Sequence, residues 1–200
     1  MDKKPWLVTG ALFLATVIVS TQISTVEISR AEEPAEQPTF VGVKKCKMCH
    51  KKETVGAQFR IWEESGHSGA YATLATPEAV EYGKARGIEN PQTAPECLKC
   101  HSTAHALSAE ALAASKITLE EGVSCESCHG AGSLYYKKKT MQGVTDGAID
   151  ATTVGLITPN EAVCVGCHNE ESPAFEGFDL ETYLEKIAHP RPEPEQVDAG

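Results

Sequence analysis

The sequence predicts a mainly α-helical protein with extensive irregular chain and little or no β-sheet. Several short segments repeat apolar residues at helical spacing, and capping residues, proline or glycine bound each of them. No segment shows the alternation of apolar and polar residues that indicates a half-buried strand. A third observation, the cysteine pattern described below, indicates that cofactors rather than side chains fill much of the interior.

Five helices are predicted. They are Glu53–Glu64, a helix from Thr76-Pro77 to Gly87, Ser108–Lys116, a helix begun by a capping box at Thr158–Glu161, and a helix from Asp179 to Pro190. In the first of these, Val55, Phe59 and Trp62 form one apolar face. In the last, Leu180, Tyr183, Leu184 and Ile187 lie on one side, and the proline ends the helix.

Four copies of the motif Cys-x-x-Cys-His contain all eight cysteines of the chain. Their residues are Cys46, Cys49 and His50; Cys97, Cys100 and His101; Cys125, Cys128 and His129; and Cys164, Cys167 and His168. This motif is the attachment site of a c-type haem, because two thiols at this spacing add to the two vinyl groups of one porphyrin. The adjacent histidine then supplies the proximal iron ligand. The sequence therefore predicts four covalently attached haem c groups.

Three other uses of Cys-x-x-Cys fit this pattern less well. A structural zinc site gives no reason for a histidine after every second cysteine. A redox dithiol of the thioredoxin type occurs once, near a βαβ pattern. A disulfide framework does not require the same spacing four times.

The predicted fold is a compact multihaem cytochrome c whose chain wraps around four haems. The mature chain offers only about 42 residues for each haem, which is too few for an ordinary side-chain core. The porphyrins themselves must supply most of the apolar interior. Removing the haems should therefore unfold the protein.

The two ends of the chain differ in composition from its middle. Lys3 and Lys4 precede an apolar run from Trp6 to Val19, and Ala31 ends a small-x-small site, so residues 1–31 are predicted to be a signal peptide, with an N-terminal membrane anchor as the alternative. Either places the protein in the periplasm or otherwise outside the cytoplasm. Residues 32–39 are an acidic linker, 40–189 the tetrahaem domain and 190–200 a polar tail.

The formal net charge of −10 argues against nucleic-acid binding. The charge is uneven, because Lys44, Lys45, Lys47, Lys51 and Lys52 surround the first haem motif while the segment after Pro159 is acidic. This asymmetry either steers a redox partner to one end or only keeps the surface soluble. The lysines of Tyr135–Lys139 have the same two interpretations, of which a solvated loop is the simpler.

The chain has seven histidines, whereas four haems with two histidine ligands each would need eight. At least one haem therefore has a non-histidine sixth ligand or none, unless another protein donates one. His67, His189 and His105 are the candidates for the distal ligands. His189 would have to lie on a frayed last turn to reach the last haem, and His105 would have to serve a haem other than its own. Met141 is an alternative sixth ligand.

Three stretches resemble a known family. They are GVSCESCHGAG at Gly122–Gly132, the pairing of Trp62 with His67, and the closing FDLETYLEKIAH. Together they resemble the tetrahaem cytochrome c family of the carrier that accepts electrons from hydroxylamine oxidoreductase in ammonia-oxidising bacteria. The resemblance extends from Val43 to His189.

The resemblance implies three bis-histidine haems, closely stacked haem pairs, and a five-coordinate, high-spin haem at the second motif, with His101 as its only axial ligand. His67 and His189 fall where the family has distal ligands. The sequence departs from the family in two ways. It has no histidine between His129 and His168, where the family supplies a third distal ligand, and it has the additional His105.

The predicted function is electron transfer between redox proteins, with a dehydrogenase or quinol oxidase upstream. One alternative is binding or reduction of a small molecule such as nitric oxide at an incompletely ligated haem. The other is assembly into an extracellular haem filament. No second catalytic constellation stands out, so a carrier is preferred to an enzyme. The sequence leaves the oligomeric state open.

Overall fold

A computed structural model describes residues 37–189 of the chain, and over half of these residues are helical. No strand occurs within this range, so the predicted mainly α class is confirmed. The predicted leader over 1–31, most of the linker over 32–39 and the tail over 190–200 lie outside the described residues. None of the described helices is long and apolar enough to cross a membrane.

The helices are short. The α-helices are α1 (Val43–His50), α2 (Gln58–Glu63), α3 (Ala70–Thr73), α4 (Pro77–Lys84), α5 (Pro95–His101), α6 (Ala109–Ala114), α7 (Cys125–His129), α8 (Lys138–Thr145), α9 (Glu161–Val165) and α10 (Leu180–Ile187). Single 3₁₀ turns lie between them at Glu53–Val55, Pro91–Thr93, Thr103–Ala106, Leu119–Glu121, Gly132–Leu134 and Ala151–Val154. The first three haem motifs end α1, α5 and α7, and the fourth begins within α9.

Side-chain caps begin three of the predicted helices where the sequence indicates them. Thr76 accepts a hydrogen bond from Ala79 N (3.2 Å), Ser108 from Ala111 N (3.2 Å) and Asp179 from Thr182 N (2.9 Å). Each cap satisfies one of the backbone N–H groups that the first turn of a helix leaves unpaired. α4, α6 and α10 are thus confirmed, with slightly narrower bounds than predicted.

The predicted helix over Glu53–Glu64 is wrong as a continuous element. A 3₁₀ turn ends at Val55, Gly56 and Ala57 adopt left-handed backbone angles (φ 103° and 49°), and α2 begins only at Gln58. Val55 consequently leaves the predicted apolar face and is exposed. Phe59 is buried against Trp62, with ring centroids 5.4 Å apart.

The capping box predicted at Thr158–Glu161 is also wrong. Asn160 is the N-cap of α9, and its side chain accepts a hydrogen bond from Val163 N at 3.4 Å. Asparagine caps at least as well as threonine, so the helix begins two residues later than predicted. The haem motif still follows directly, because Cys164 lies in the last turn of α9.

Few side chains are fully buried. Among the described residues the buried apolar side chains are Val43, Ala57, Phe59, Leu74, Ala94, Leu98, Ala104, Ile117 and Tyr135. Three of these are alanines, so the hydrophobic free energy available from side-chain burial is small. The helices instead surround a large cavity, which is described below.

We expect the chain without haem to have no cooperative unfolding transition. Protein produced in a cytoplasm that lacks the haem-attachment machinery should lose most of its helical circular dichroism and be digested rapidly by trypsin. The holoprotein, tested in parallel, is the control. A cooperative thermal transition of the haem-free chain would contradict this expectation.

Candidate haem-binding site

A cavity of about 1320 Å³ brings the second and fourth motifs together. Its wall includes Cys97, Cys100 and His101 of the second motif and Cys164, Cys167 and His168 of the fourth. Pockets for one small ligand usually enclose about 300–1,000 Å³, so this cavity has room for more than one such group. The apolar side of α10 also lines it, through Leu180, Tyr183, Leu184 and Ile187, as the sequence predicts.

Two histidine pairs face each other across long separations in sequence. The ring centroids of His67 and His168 lie 6.0 Å apart, and those of His129 and His189 lie 5.8 Å apart. An iron held by two imidazoles, with metal–nitrogen bonds of about 2.0 Å and ring radii of about 1.1 Å, places the centroids about 6.2 Å apart. Both pairs therefore fit a six-coordinate haem iron between them.

The sequence predicts that His189 reaches the fourth-motif haem. In the structure, His189 instead faces His129 of the third motif. α10 ends at Ile187, and Ala188 has extended backbone angles (φ −58°, ψ 134°), so His189 lies beyond the helix. The residue before a proline avoids the helical conformation, which explains why the last turn opens here. The histidine that faces His168 is His67.

Three proximal histidines have one ring nitrogen held by the protein. His50 Nδ1 lies 3.1 Å from Gln58 Oε1, His101 Nδ1 2.7 Å from Ala70 O, and His129 Nδ1 3.1 Å from Ile157 O. Each of these oxygens can only accept, so Nδ1 carries a proton and donates it. Metal-ligating histidines usually donate their second nitrogen in this way, which fixes the tautomer and leaves Nε2 for the metal.

His168 is held by aromatic contacts. Its ring stacks on Phe178 at 5.1 Å and meets the edge of Tyr183 at 5.4 Å, and these two aromatic rings lie 4.8 Å from each other. Offset-stacked and edge-to-face arrangements in this distance range are favourable for aromatic rings. α10 and the segment before it therefore orient the fourth-motif histidine.

Burial favours the neutral, ligand form of the facing histidines. It lowers the pKa of His67, with the neighbouring His168 as a second cause, and it also lowers the pKa of His129 and of His168. An imidazole must be neutral at the ligating nitrogen to bind a metal. Within residues 37–189, no three histidine, cysteine or acidic side chains converge to hold a metal ion by themselves, whereas a haem iron needs only one or two protein ligands.

Cysteines of different motifs lie close together. The thiols of Cys46 and Cys125 lie near enough to shift each other's pKa, which is raised for Cys46 and lowered for Cys125, and after burial the nearby Cys100 raises the pKa of Cys167. The thiol of Cys128 is near that of Cys164, whose charge, after burial, raises the pKa of Cys128. If haem c is attached at each motif, these sulfur atoms become the thioether sulfurs of the attachments. An ion pair between Lys99 and Glu171 also joins the second motif to the segment after the fourth.

The loop that carries His67 is fixed by the segment before the third motif. Trp62 Nε1 donates to Val123 O (2.8 Å), and Val123 N donates to His67 O (3.0 Å). Gly122 has a positive φ of 65°, and a Cβ there would lie 2.6 Å from His67 O. Through these contacts, Trp62, His67 and the residues before Cys125 lie together in the structure.

Sequence reasoning missed two polar residues of the site. Gln58 holds His50, and Glu126, only 3% exposed, holds the start of α1. The Glu126 carboxylate accepts hydrogen bonds from the backbone N–H groups of Val41 (2.9 Å), Gly42 (2.8 Å) and Gly132 (2.7 Å). Bonds to a charged acceptor each contribute about 1.5–3 kcal/mol. Nothing in the sequence distinguishes Glu126 from an exposed residue within its motif.

The two remaining candidates for the sixth position have less definite places. His105 is exposed, and its Nδ1 lies 2.8 Å from Ser102 O within the same 3₁₀ turn. Among the described residues, no other histidine ring packs against it. Met141 lies half-buried on α8.

Comparison with known proteins shows which family the chain resembles. Residues 45–130 match the cytochrome c554 and c-prime family. The chain is also similar to cytochrome c-554 of Nitrosomonas europaea, with 27% identity over 124 residues, which cover 60% of this chain and 50% of that protein. The chain thus spans about half the length of the curated relative it matches. No solved structure matches the chain.

The resemblance to this cytochrome family that the sequence predicts is therefore confirmed over residues 45–130. The matched segment contains the first three Cys-x-x-Cys-His motifs, His67 and His105. The family is one of c-type cytochromes, which bind haem c covalently and transfer electrons. The arrangement of thiols and imidazoles described above fits such groups.

We expect Gly122→Ala to displace His67. The new Cβ would meet the His67 carbonyl at 2.6 Å and would also strain the positive φ. The unfolding free energy of the holoprotein should fall by about 2–3 kcal/mol, of which backbone strain contributes about 1. Urea unfolding and the low-spin haem spectrum are the measurements.

Gly87→Ala is the matched control for this substitution. Gly87 also has a positive φ (75°), but a Cβ there would meet no atom within 4 Å. This variant should lose only the strain contribution, about 1 kcal/mol, and should keep the spectrum of the native protein. Equal effects of the two substitutions would show that the contact with His67 is unimportant.

Proposed function

We propose that this protein is a tetrahaem c-type cytochrome that carries electrons between redox partner proteins outside the cytoplasm. The observation that supports this most directly is the spacing of the two facing histidine pairs, which matches bis-histidine iron ligation. The four attachment motifs and the short N-terminal apolar segment support the haem count and the export of the chain.

The facing histidines assign two of the haems. His168 and His67 would be the axial ligands of the fourth-motif haem, and His129 and His189 those of the third-motif haem. Bound haem iron supplies reversible one-electron chemistry. The residues of this chain would set the reduction potential of that iron. The imidazoles would be its ligands, the oxygen acceptors at Nδ1 would make the imidazoles more basic, and burial would exclude water.

Contacts between the motifs order the haems. Cys46 lies near Cys125, Cys128 near Cys164, and Cys167 near Cys100. The attachment points therefore follow one another as first, third, fourth and second motif. We infer that electrons pass along the haems in this order, in one direction or the other, with the first-motif and second-motif haems at the two ends.

The two terminal haems differ from the inner pair. No histidine ring faces His50 or His101 within the described part of the chain, which agrees with the shortage of histidines in the sequence. His50 is held by Gln58 and His101 by Ala70 O, so both proximal ligands are oriented although neither has an opposing imidazole. The terminal haems are thus the ones with a non-histidine ligand or an open position.

Binding of a small diatomic molecule at the second-motif haem is a second candidate function. His101 lines the large cavity, whereas His50 is not among the residues that line it. Among the described residues, no histidine ring opposes His101, so the second axial position of an iron held there would be open to a small ligand. Nitric oxide is the natural probe, because it binds an open ferrous haem directly.

Replacing His67 or His189 tests the ligand assignment. Each of the variants His67→Ala and His189→Ala should convert one haem equivalent from low-spin to high-spin, because the iron loses one imidazole. Electron paramagnetic resonance of the fully oxidised protein measures the high-spin fraction. His105→Ala is the control and should leave the spectrum unchanged. A high-spin gain in the control, with none in the other two, would reverse the assignment.

Nitric oxide added to the fully reduced protein tests the second candidate function. We expect at least one haem equivalent of ferrous nitrosyl signal in the native protein. A Pro91→Ala variant that loosens the cavity wall should raise the rate of binding, since Pro91 lines the cavity and is fully buried. The absence of any nitrosyl signal would leave the protein as an electron carrier alone.

A further inference from the structure

We propose that two separate lysine runs form one docking surface for an acidic redox protein, beside the first-motif haem. This inference rests on the proposed carrier function. The surface, called the basic face, consists of Lys44, Lys45, Lys47, Lys51, Lys52, Lys137, Lys138 and Lys139. In sequence, the two runs are far apart and each has a simpler interpretation as a solvated segment.

The structure joins the two runs. Lys45 Nζ lies 5.6 Å from the ring centroid of Tyr136, directly before the second run. Thr39 and Ser133 exchange two hydrogen bonds, Thr39 N to Ser133 Oγ (2.8 Å) and Ser133 N to Thr39 O (3.0 Å). α1 also contacts α7, the helix directly before the segment that contains Ser133 and Tyr136. The residues around α1 and the segment that leads into α8 are therefore neighbours.

The lysines of this face remain largely unpaired. Among the described residues, only Lys47 has a carboxylate within 4 Å, that of Glu63 at 3.9 Å. Other nearby carboxylates bind internal donors: Glu53 pairs with Arg60, Glu121 accepts from Val43 N, and Glu126 is buried on backbone N–H groups. Most of the positive charge thus faces solvent.

Helix stability does not explain the positions of these lysines. The first turn of α1 contains Lys44 and Lys45, that of α8 contains Lys138 and Lys139, and neither turn has an acidic residue. Cations near a helix N-terminus are unfavourable, because they face the positive end of the macrodipole. The arrangement adds the field of two helix N-termini to that of the lysines.

The centre of the α1 side of the face is apolar. Met48 is 58% exposed between the first motif's two cysteines, with lysines on both sides in sequence. Protein interfaces commonly combine an apolar centre enriched in methionine with a polar rim. A partner that covers Met48 would therefore contact the chain at the attachment of a terminal haem, where an electron must enter or leave.

The net charge of the chain adds selectivity. Because the molecule carries a formal −10, an acidic partner is repelled by most of its surface and attracted by the basic face. Association should be faster at low salt, since the Debye length falls from about 30 Å at 0.01 M to about 3 Å at 1 M. A partner with a carboxylate-rich surface around its own redox centre fits this field.

The test uses the holoprotein and reduced plant-type ferredoxin, a small acidic electron donor, as the probe. Stopped-flow absorbance gives the second-order rate constant of haem reduction at about 0.01 M and about 1 M salt. We expect Lys51→Glu with Lys138→Glu to slow reduction at least about tenfold at low salt. The control, Lys84→Glu with Arg86→Glu, makes the same change in net charge at the exposed end of α4 and should have less than about a threefold effect.

Three outcomes overturn the docking proposal. The first is equal slowing by the two double variants. The second is no reduction of the native protein by ferredoxin, although soluble mediators reduce its haems reversibly. The third is that the lysine substitutions in the basic face abolish co-sedimentation with phosphatidylglycerol vesicles while the two double variants are reduced by ferredoxin at equal rates. That result would assign the face to a membrane. If mediators reduce no haem reversibly, it is the carrier function that fails.

Discussion

The scarcity of buried side chains constrains the whole architecture. Nine apolar side chains, three of them alanines, are buried within residues 37–189, which is too little to fix ten short helices against one another. Other forces must do so. Side-chain caps stabilise the first turns of several helices. The buried Glu126 carboxylate accepts hydrogen bonds from three backbone N–H groups. The cavity between the motifs leaves room for porphyrin surface. The covalent haem is thus both cofactor and core.

The facing histidines have a structural role that follows from this constraint. The second and third motifs lie between His67 and its partner His168 in the sequence, and His189 lies at the end of the described chain. An iron shared by such a pair ties the start of the domain to its end, as a disulfide does in a small secreted protein. In the proposed order the outer haems would lack this second tie, although an oxygen acceptor orients both of their proximal histidines, as one also orients His129.

Local chemistry was predictable from the sequence, and pairing across the chain was not. The haem motifs need only five consecutive residues, and the caps at Thr76, Ser108 and Asp179 need only four, so both can be identified without a structure. The break at Gly56–Ala57 was missed, because periodicity alone made Val55 part of an apolar face. Asn160 was missed because a second acceptable cap stood two residues earlier.

The partner of His189 illustrates the same limit. The sequence predicts that His189 can serve as a ligand only from a frayed last turn, and it does lie beyond the helix, but the residue that it faces depends on how distant segments pack. Gln58 and Glu126 had no signal at all, because a glutamine or glutamate near a motif is usually exposed. Their roles arise only when α1 meets α2 and α7.

The thiol contacts between different motifs have a consequence for the maturation of the protein. Cys46 lies near Cys125 and Cys100 near Cys167, so even a partly collapsed haem-free chain in an oxidising compartment could join thiols of different motifs. A disulfide between motifs would consume the sulfur atoms that two haems require. Attachment of the porphyrins before the chain becomes compact would avoid these disulfides, in agreement with a side-chain core that is too small to fold by itself.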